Sequence, residues 1–331
     1  MKVTDQNDRL RAGTLPDDPK ADTVVVSEEV TRIYGEKDLL NSVNVTSDKR
    51  IYGTTGNAKL DEATGGMRPE DVWMVGADTS WGKSSFAVRL YDENLKRKKK
   101  VLIVSGEDSM QTYGARLLRR RTRVPAATLR GRTLSREQHD AVSQARKNAI
   151  SNASFIDARG KTVEWLAPQI KRAVSHYGID IVCFDYVGAF ACKAGSQDRR
   201  NMVTYIARVM ADVAKTAGVC GVIFSQITPG KAGKDGDKYA LRDSNDLVQM
   251  AEVMLLGTLA EKDHAEGKYR EGDRLLKVTK CKEGEAGKTH VLAWDSEVAC
   301  FDTEWSEEQV RDQNMVELTE ELTGSWYDND A

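Results

Sequence analysis

The sequence predicts an α/β fold in which a mostly parallel central sheet is covered by helices, with antiparallel strands at one edge. Three observations carry that expectation. Five short apolar runs rich in β-branched residues recur along the chain: VWMVG from Val72, VLIVS at 101 to 105, SFIDA at 154 to 158, IDIVCFDY at 179 to 186 and VCGVIFSQ at 219 to 226. Helix-forming stretches near 83 to 96, 109 to 123, 135 to 150, 161 to 177 and 199 to 217 separate them. Near-continuous apolar strands joined through helices are buried on both faces, which is how a parallel sheet reads in sequence. Three later strand-like segments, VMLLGTL (253 to 259), RLLKVTK (274 to 280) and THVLAWD (289 to 295), follow with little helix between them. They are expected to extend one edge in antiparallel fashion.

Around that core, 51 to 303, lie two kinds of flank. Residues 1 to 24 read as a disordered tail, with DDPKADT supplying breakers and charge. Residues 25 to 50 open a short helical pattern at Ser27-Glu28-Glu29-Val30, where Val30, Ile33 and Tyr34 share one face. Such a helix is too short to stand alone in water, so it is expected to dock on another surface. The final stretch, 304 to 331, carries nine acidic residues against one basic one, Arg311, and Ser306 with Gln309 has capping-box spacing ahead of Val310, Met315, Leu318 and Leu322. The overall charge of −2 thus divides into an acidic tail and a body with 48 Lys+Arg against 42 Asp+Glu. A mildly basic body permits nucleic-acid binding without requiring it.

Composition narrows the class. With 40% hydrophobic and 30% charged residues the chain is globular, and no apolar run approaches membrane-spanning length. The opening MKVTDQNDRLRAGTLPDDPK has no apolar segment, so no secretory leader is expected. Five scattered cysteines without a CxxC pair read as reduced thiols, and a cytoplasmic location follows. Four dispersed histidines offer no metal-ligand spacing.

The chemistry concentrates where the first strand meets the next helix. Ala77, Asp78, Thr79, Ser80, Trp81, Gly82, Lys83, Ser84 and Ser85 form a phosphate-binding loop, with Ala77 where the usual pattern has glycine. A strand feeding a glycine-containing turn aims the unpaired N–H groups of the following helix at one spot, which suits phosphate. Lys83 adds positive charge, and the Ser84 hydroxyl has the position to complete the shell of a Mg2+ ion carried by ATP. Ligands in such sheets lie outside the carboxyl ends of the strands. Three of those ends are well stocked: Asp185 is placed to hold the Mg2+ shell, Glu107 to activate water with Asp108 as a rival, and Gln226 to contact the γ-phosphate.

The runs TTGNAKLDEATGGMRPEDVWMVGADTSWGKSSFAVRL, VLIVSGEDSM, IDIVCFDYVGAF, VIFSQIT, ALRDSNDLVQMAEVMLL and LLKVTKCKEGEAGKTHVLAWD, in that order, resemble the motor domain of DnaB-type hexameric replicative helicases over roughly residues 50 to 303. The resemblance implies a RecA-like P-loop NTPase core, a homohexamer, and movement along single-stranded DNA driven by ATP. It also implies roles. Lys83 and Ser84 would hold phosphates and Mg2+, Glu107 would be the catalytic base, Asp185 the Mg2+-shell carboxylate, Gln226 the γ-phosphate sensor and Arg116 an arginine near the phosphates. Lys280 and Lys282 would reach the neighbouring subunit's nucleotide, Lys282 standing where the family has arginine. Arg242, Asp243 and Asn245 would grip DNA in a central channel, helped by Lys231, Lys234 and Lys238 and by Arg199 and Arg200. Arg119, Arg120, Arg121 and Arg123 beside Arg116 make a solvated basic helix face the equal alternative for it. The family's large N-terminal domain has no counterpart here, and a primase, loader or other replisome protein would meet the tails. A strand-annealing or recombinase ATPase, and a regulatory ring without nucleic acid, are the competing readings of the same fold.

Overall fold

Alternating apolar side chains give each central strand two buried faces. Along β1 (Val72–Ala77), Val72 and Met74 enter one hydrophobic cluster while Trp73, Val75 and Ala77 enter the other. The same division runs through β2 (Val101–Ser105), β4 (Ile181–Asp185) and β5 (Cys220–Gln226), so the sheet separates two cores. The computed structural model describes residues 52–131, 133–149, 154–193, 199–227, 249–260 and 272–301.

Eight strands form the main sheet in the order β3-β2-β4-β5-β1-β6-β7-β8, with β3 at Phe155–Asp157, β6 at Val253–Leu259, β7 at Arg274–Cys281 and β8 at Thr289–Leu292. Neighbours from β3 to β6 are parallel, and β7 and β8 add antiparallel. One face is covered by α6 (Val163–Tyr177) and α7 (Arg199–Thr216), through Leu166, Ile170, Ile206 and Met210. The other is covered by α2 (Lys83–Lys96), through Phe86 and Leu90, and by Tyr113 of α3 (Met110–Thr122). Shorter helices α1 (Ala58–Thr64), α4 (Ala126–Leu129) and α5 (Arg136–Lys147) complete the described chain.

Local chemistry sets the helix ends. Asn57 caps α1 by accepting the Leu60 N–H at 3.0 Å, Ser109 caps α3 by accepting that of Thr112 at 3.3 Å, and Ser135 with Gln138 forms a full capping box on α5. Gly178 ends α6 at φ 65°, a left-handed conformation open to glycine.

Two expectations are corrected. The segment 289 to 295 is not one strand: β8 ends at Leu292, and β9 (Trp294–Asp295) pairs instead with β10 (Cys300–Phe301) in a separate two-stranded ribbon. The break lets Trp294 and Phe301 pack against each other at 5.1 Å and against the phosphate loop. The arginine-rich end of α3 is not a solvated face either. Arg120 is buried and bonded to Asp92, Glu93 and the Phe301 carbonyl, while Arg121 pairs with Asp92 at 2.9 Å and Arg123 pairs with Asp295.

Candidate active site

The parallel register brings the strand ends together. Ser105 lies opposite Asp185, and Ala77 opposite Gln226, so β2, β4, β5 and β1 deliver their carboxyl ends to one place. A cleft of about 260 Å³ opens there, lined by Thr79, Gly82, Lys83, Ser84, Ser85, Glu107, Asp108, Arg116, Asp185, Tyr186 and Gln226.

Gly82 is the pivot of the loop. Its φ of 103° is a conformation side chains avoid, and a Cβ there would meet the Trp294 ring at 3.1 Å. No side chain caps the start of α2, which leaves its first N–H groups available to an anion. Lys83 folds back, donating from Nζ to the carbonyls of Ala77 and Asp78, both at 2.9 Å. Burial depresses its pKa, against the pull of Asp185, Asp78 and Glu107.

Trp81 belongs to the structural support rather than the ligand surface. Its side chain is fully buried between Phe86 at 5.5 Å and Phe301 at 5.2 Å, with Nε1 donating to the Leu275 carbonyl at 3.2 Å. Arg274 of β7 braces the same turn: Nε donates to the Trp81 carbonyl at 2.8 Å, and the guanidinium stacks on Trp294 at 4.3 Å. Ala77, Asp78 and Ser80 shape the loop from outside the cleft lining. Ser85 lines it and donates to the Ala299 carbonyl at 3.3 Å.

The carboxylates differ in their surroundings. Asp185 is 2% exposed; burial raises its pKa, opposed by hydrogen bonds from Ser84 and Tyr113 and by Arg116. Glu107 follows β2 on a turn whose Glu107 and Asp108 N–H groups both point at the Ser105 hydroxyl, at 3.4 and 2.9 Å. Burial again raises its pKa, reinforced by Asp108 and Asp185 and countered by Lys83 and Arg116. Asp108 is engaged in an ion pair with Arg116 at 2.7 Å, whereas no ion pair to Glu107 forms among the described residues. Asp108 is therefore the carboxylate that holds Arg116, and Glu107 stands beside it without an ion pair among the described residues. Arg116 in turn keeps Nη1 buried with no acceptor among the described residues, an orphan donor at the cleft wall. Gln226 reaches across to the loop, donating from Nε2 to the Thr79 hydroxyl at 2.5 Å.

Other sequence candidates fall elsewhere. Lys280 and Lys282 sit at the far end of the sheet, because β7 runs antiparallel and its Cys281 pairs with Val253 at the start of β6. Lys282 bonds Glu252 at 2.9 Å, and Lys280 donates to the Gln249 carbonyl at 3.3 Å. Glu252 in turn accepts the Val72 N–H, at the opposite end of β1 from the phosphate loop. Five strand steps separate the two ends, about 17 Å. Arg199 opens α7 with its side chain exposed, and Arg200 follows it in the helix. Lys231, Lys234, Lys238, Arg242, Asp243 and Asn245 lie outside the described residues, as do both flanks. Tyr113, Arg274 and Trp294 were not among the sequence candidates.

The donor set suits a metal nucleotide. Ser84, Asp185 and Glu107 present only oxygen, the ligand class Mg2+ prefers, beside the uncapped helix start, Lys83 and the orphan Arg116 donor.

Comparison with known proteins places the chain in a family. The replicative DNA helicase DnaB of Pasteurella multocida is 24% identical over 267 residues, covering 78% of this chain and 57% of that protein. The chain thus spans a little over half the length of these curated relatives, which include the DnaB of Haemophilus influenzae. Among solved structures, a DnaB-like replicative helicase described with its interactions with primase superposes with a TM-score of 0.69 at 22% identity, covering 77% of this chain and 64% of that one. An isolated ATPase domain superposes at 0.68 and 22% identity, covering 80% and 94%. At that identity the structural likeness establishes the fold alone. The family model for the DnaB-like helicase C-terminal domain matches residues 53–303, most of the chain, and the protein belongs to that family.

Proposed function

We propose that this chain is the motor of an ATP-driven ring helicase that moves on single-stranded DNA during replication. The observation that carries the reading is the separation of two half-sites. The phosphate loop, Glu107, Asp185 and Gln226 gather at the carboxyl ends of the strands, while Lys280 and Lys282 lie at the other end of the same sheet. The lysines cannot serve their own chain's nucleotide over that distance, but a neighbouring subunit stacked head to tail would receive them. Hydrolysis would then take place at subunit interfaces, and a homohexamer is the assembly that the family resemblance implies.

Within one site each residue has a role its surroundings support. The uncapped start of α2 and Lys83 bind the phosphates. Mg2+, held by Ser84 and Asp185, would neutralise charge on the phosphate oxygens. Glu107 orients water and takes its proton; burial makes it a stronger base than an ordinary glutamate. Gln226, already in contact with Thr79, transmits the state of the γ-phosphate from the loop to β5 and the residues after it, where the DNA-binding candidates Arg242, Asp243 and Asn245 follow. Lys282 offers a point charge where an arginine would offer a fork, so stabilisation of the transferring phosphoryl group in trans is expected to be weaker. Primase is the partner suggested by the solved relative, which is described with its interactions with primase.

A forked-duplex unwinding assay with ATP and Mg2+ tests the reading. Strand separation that needs ATP and a single-stranded tail supports it; DNA binding or annealing without separation points to a recombinase-like ATPase. Hydrolysis indifferent to DNA, with no DNA binding, points to a regulatory ring.

A further inference from the structure

Behind the nucleotide cleft stands a residue that the motifs do not account for and that bonds one of the carboxylates of the cleft lining. Tyr113, 4% exposed, lies on α3 one turn before Arg116, and its hydroxyl donates to Asp185 Oδ2. The ring is fixed by packing on both sides: Phe155 of β3 lies 5.2 Å away, and the Arg116 guanidinium stacks at 5.2 Å. The start of α3 is itself pinned by the Ser109 cap, directly after the Glu107–Asp108 turn. The direction of the hydroxyl is therefore set by the protein and not by the carboxylate it meets. Asp185 also takes a hydrogen bond from the Ser84 hydroxyl, so donors from α2 and α3 converge on one buried carboxylate at the end of β4.

We propose that Tyr113 is a positioning residue for the metal nucleotide: it holds Asp185 ready, in the orientation a divalent cation needs. The proposal rests on Ser84 and Asp185 being the Mg2+ residues. A ligand carboxylate is usually oriented by an outer-shell hydrogen bond, and loss of such a partner lowers metal affinity by roughly 10- to 100-fold. Here the donor is an aromatic hydroxyl with few rotatable bonds, on the helix that also carries Arg116. Metal, base and arginine would thus be set in register by one helix.

The test is equilibrium binding of a fluorescent ATP analogue to the full chain, titrated with Mg2+ and repeated in excess chelator. Tyr113→Phe keeps the ring and removes one oxygen. It should raise the Mg2+ concentration at half-effect by about tenfold while leaving affinity in chelator within about twofold of wild type. A purely structural role would lower the melting temperature and weaken both measurements together, and that result overturns the proposal, as does an unchanged Mg2+ midpoint. Replacement of Tyr113 by 3-fluorotyrosine retains the hydroxyl and should stay near wild type; a shift as large as that of Tyr113→Phe would show that the hydroxyl is not the cause. Asp185→Asn separates the two levels. If it keeps the wild-type midpoint, the metal reading itself fails and takes the proposal with it. If it shifts the midpoint while Tyr113→Phe does not, Tyr113 alone is wrongly assigned.

Discussion

Removing Arg120 tests whether the base of the phosphate loop is anchored from α3. Its side chain is 1% exposed and contacts three acceptors: Asp92 at 3.1 Å, Glu93, and the Phe301 carbonyl at 2.7 Å. Breaking a buried ion pair by deleting one partner costs about 3–5 kcal/mol, because the other charge is left uncompensated. Asp92 retains Arg121 at 2.9 Å and Glu93 retains Lys96 at 3.0 Å, which places Arg120→Ala near the lower end of that range. For a motor of this size about 3 kcal/mol corresponds to a fall of roughly 6–12 °C in melting temperature. Arg121→Ala is the internal control: its side chain is 21% exposed and, among the described residues, its ion pair is with Asp92, so it should cost under about 1 kcal/mol. Calorimetric melting of both variants in one buffer, with urea titration as a second readout, decides the matter. Equal losses in the two would refute the reasoning, since burial, the Glu93 ion pair and the Phe301 contact are what distinguish the neighbours.

Four further outcomes are expected. Lys83→Ala should abolish phosphate binding, whereas Glu107→Gln should keep nucleotide affinity and reduce turnover by roughly 10²- to 10⁴-fold; turnover within about threefold of wild type would pass the role to Asp108. Because the Glu107 pKa is raised and the base acts deprotonated, activity should climb with pH through a midpoint above the ordinary glutamate value, and Glu107→Gln should lose that limb. Rings mixed from Lys282→Ala and Lys83→Ala subunits should recover part of the hydrolysis lost in each, measured after mixed assembly is shown; a mixture as inactive as its parents argues against action in trans. Arg242→Ala should weaken single-strand binding and flatten its salt dependence while sparing nucleotide binding, read from a salt titration in which an unchanged affinity would exclude a channel role.

The sequence made the strand ends legible because a buried parallel strand announces itself as an apolar run, and the residue that ends it is placed by that run. Asp185, Gln226 and Glu107 could be located this way, and the structure brings them to one cleft. What could not be read were partnerships across the fold. Tyr113 looks like one more core position of an amphipathic helix, and its carboxylate is 72 residues away. Arg274 meets the Trp81 carbonyl 193 residues earlier in the chain. Trp81 lies inside the loop pattern and so reads in sequence as a ligand-binding residue; only the ribbon of β9 and β10 reveals its side chain as core. The arginine run on α3 shows the same limit, since a string of like charges gives no sign of the acids on α2 that neutralise it.

The placement of the phosphate loop and the late lysines at opposite ends of one sheet has a consequence for stoichiometry. A contact that joins unlike surfaces is heterologous: it closes into a ring if the rotation per subunit permits and otherwise continues as an open helix. In a closed assembly of n subunits every nucleotide would face a neighbour's lysines, giving n complete sites. An open one would have n−1, with the terminal nucleotide bound but lacking its second half. Burst amplitude per subunit would then count the gaps in the assembly, and a helical break in the ring would register as one silent site.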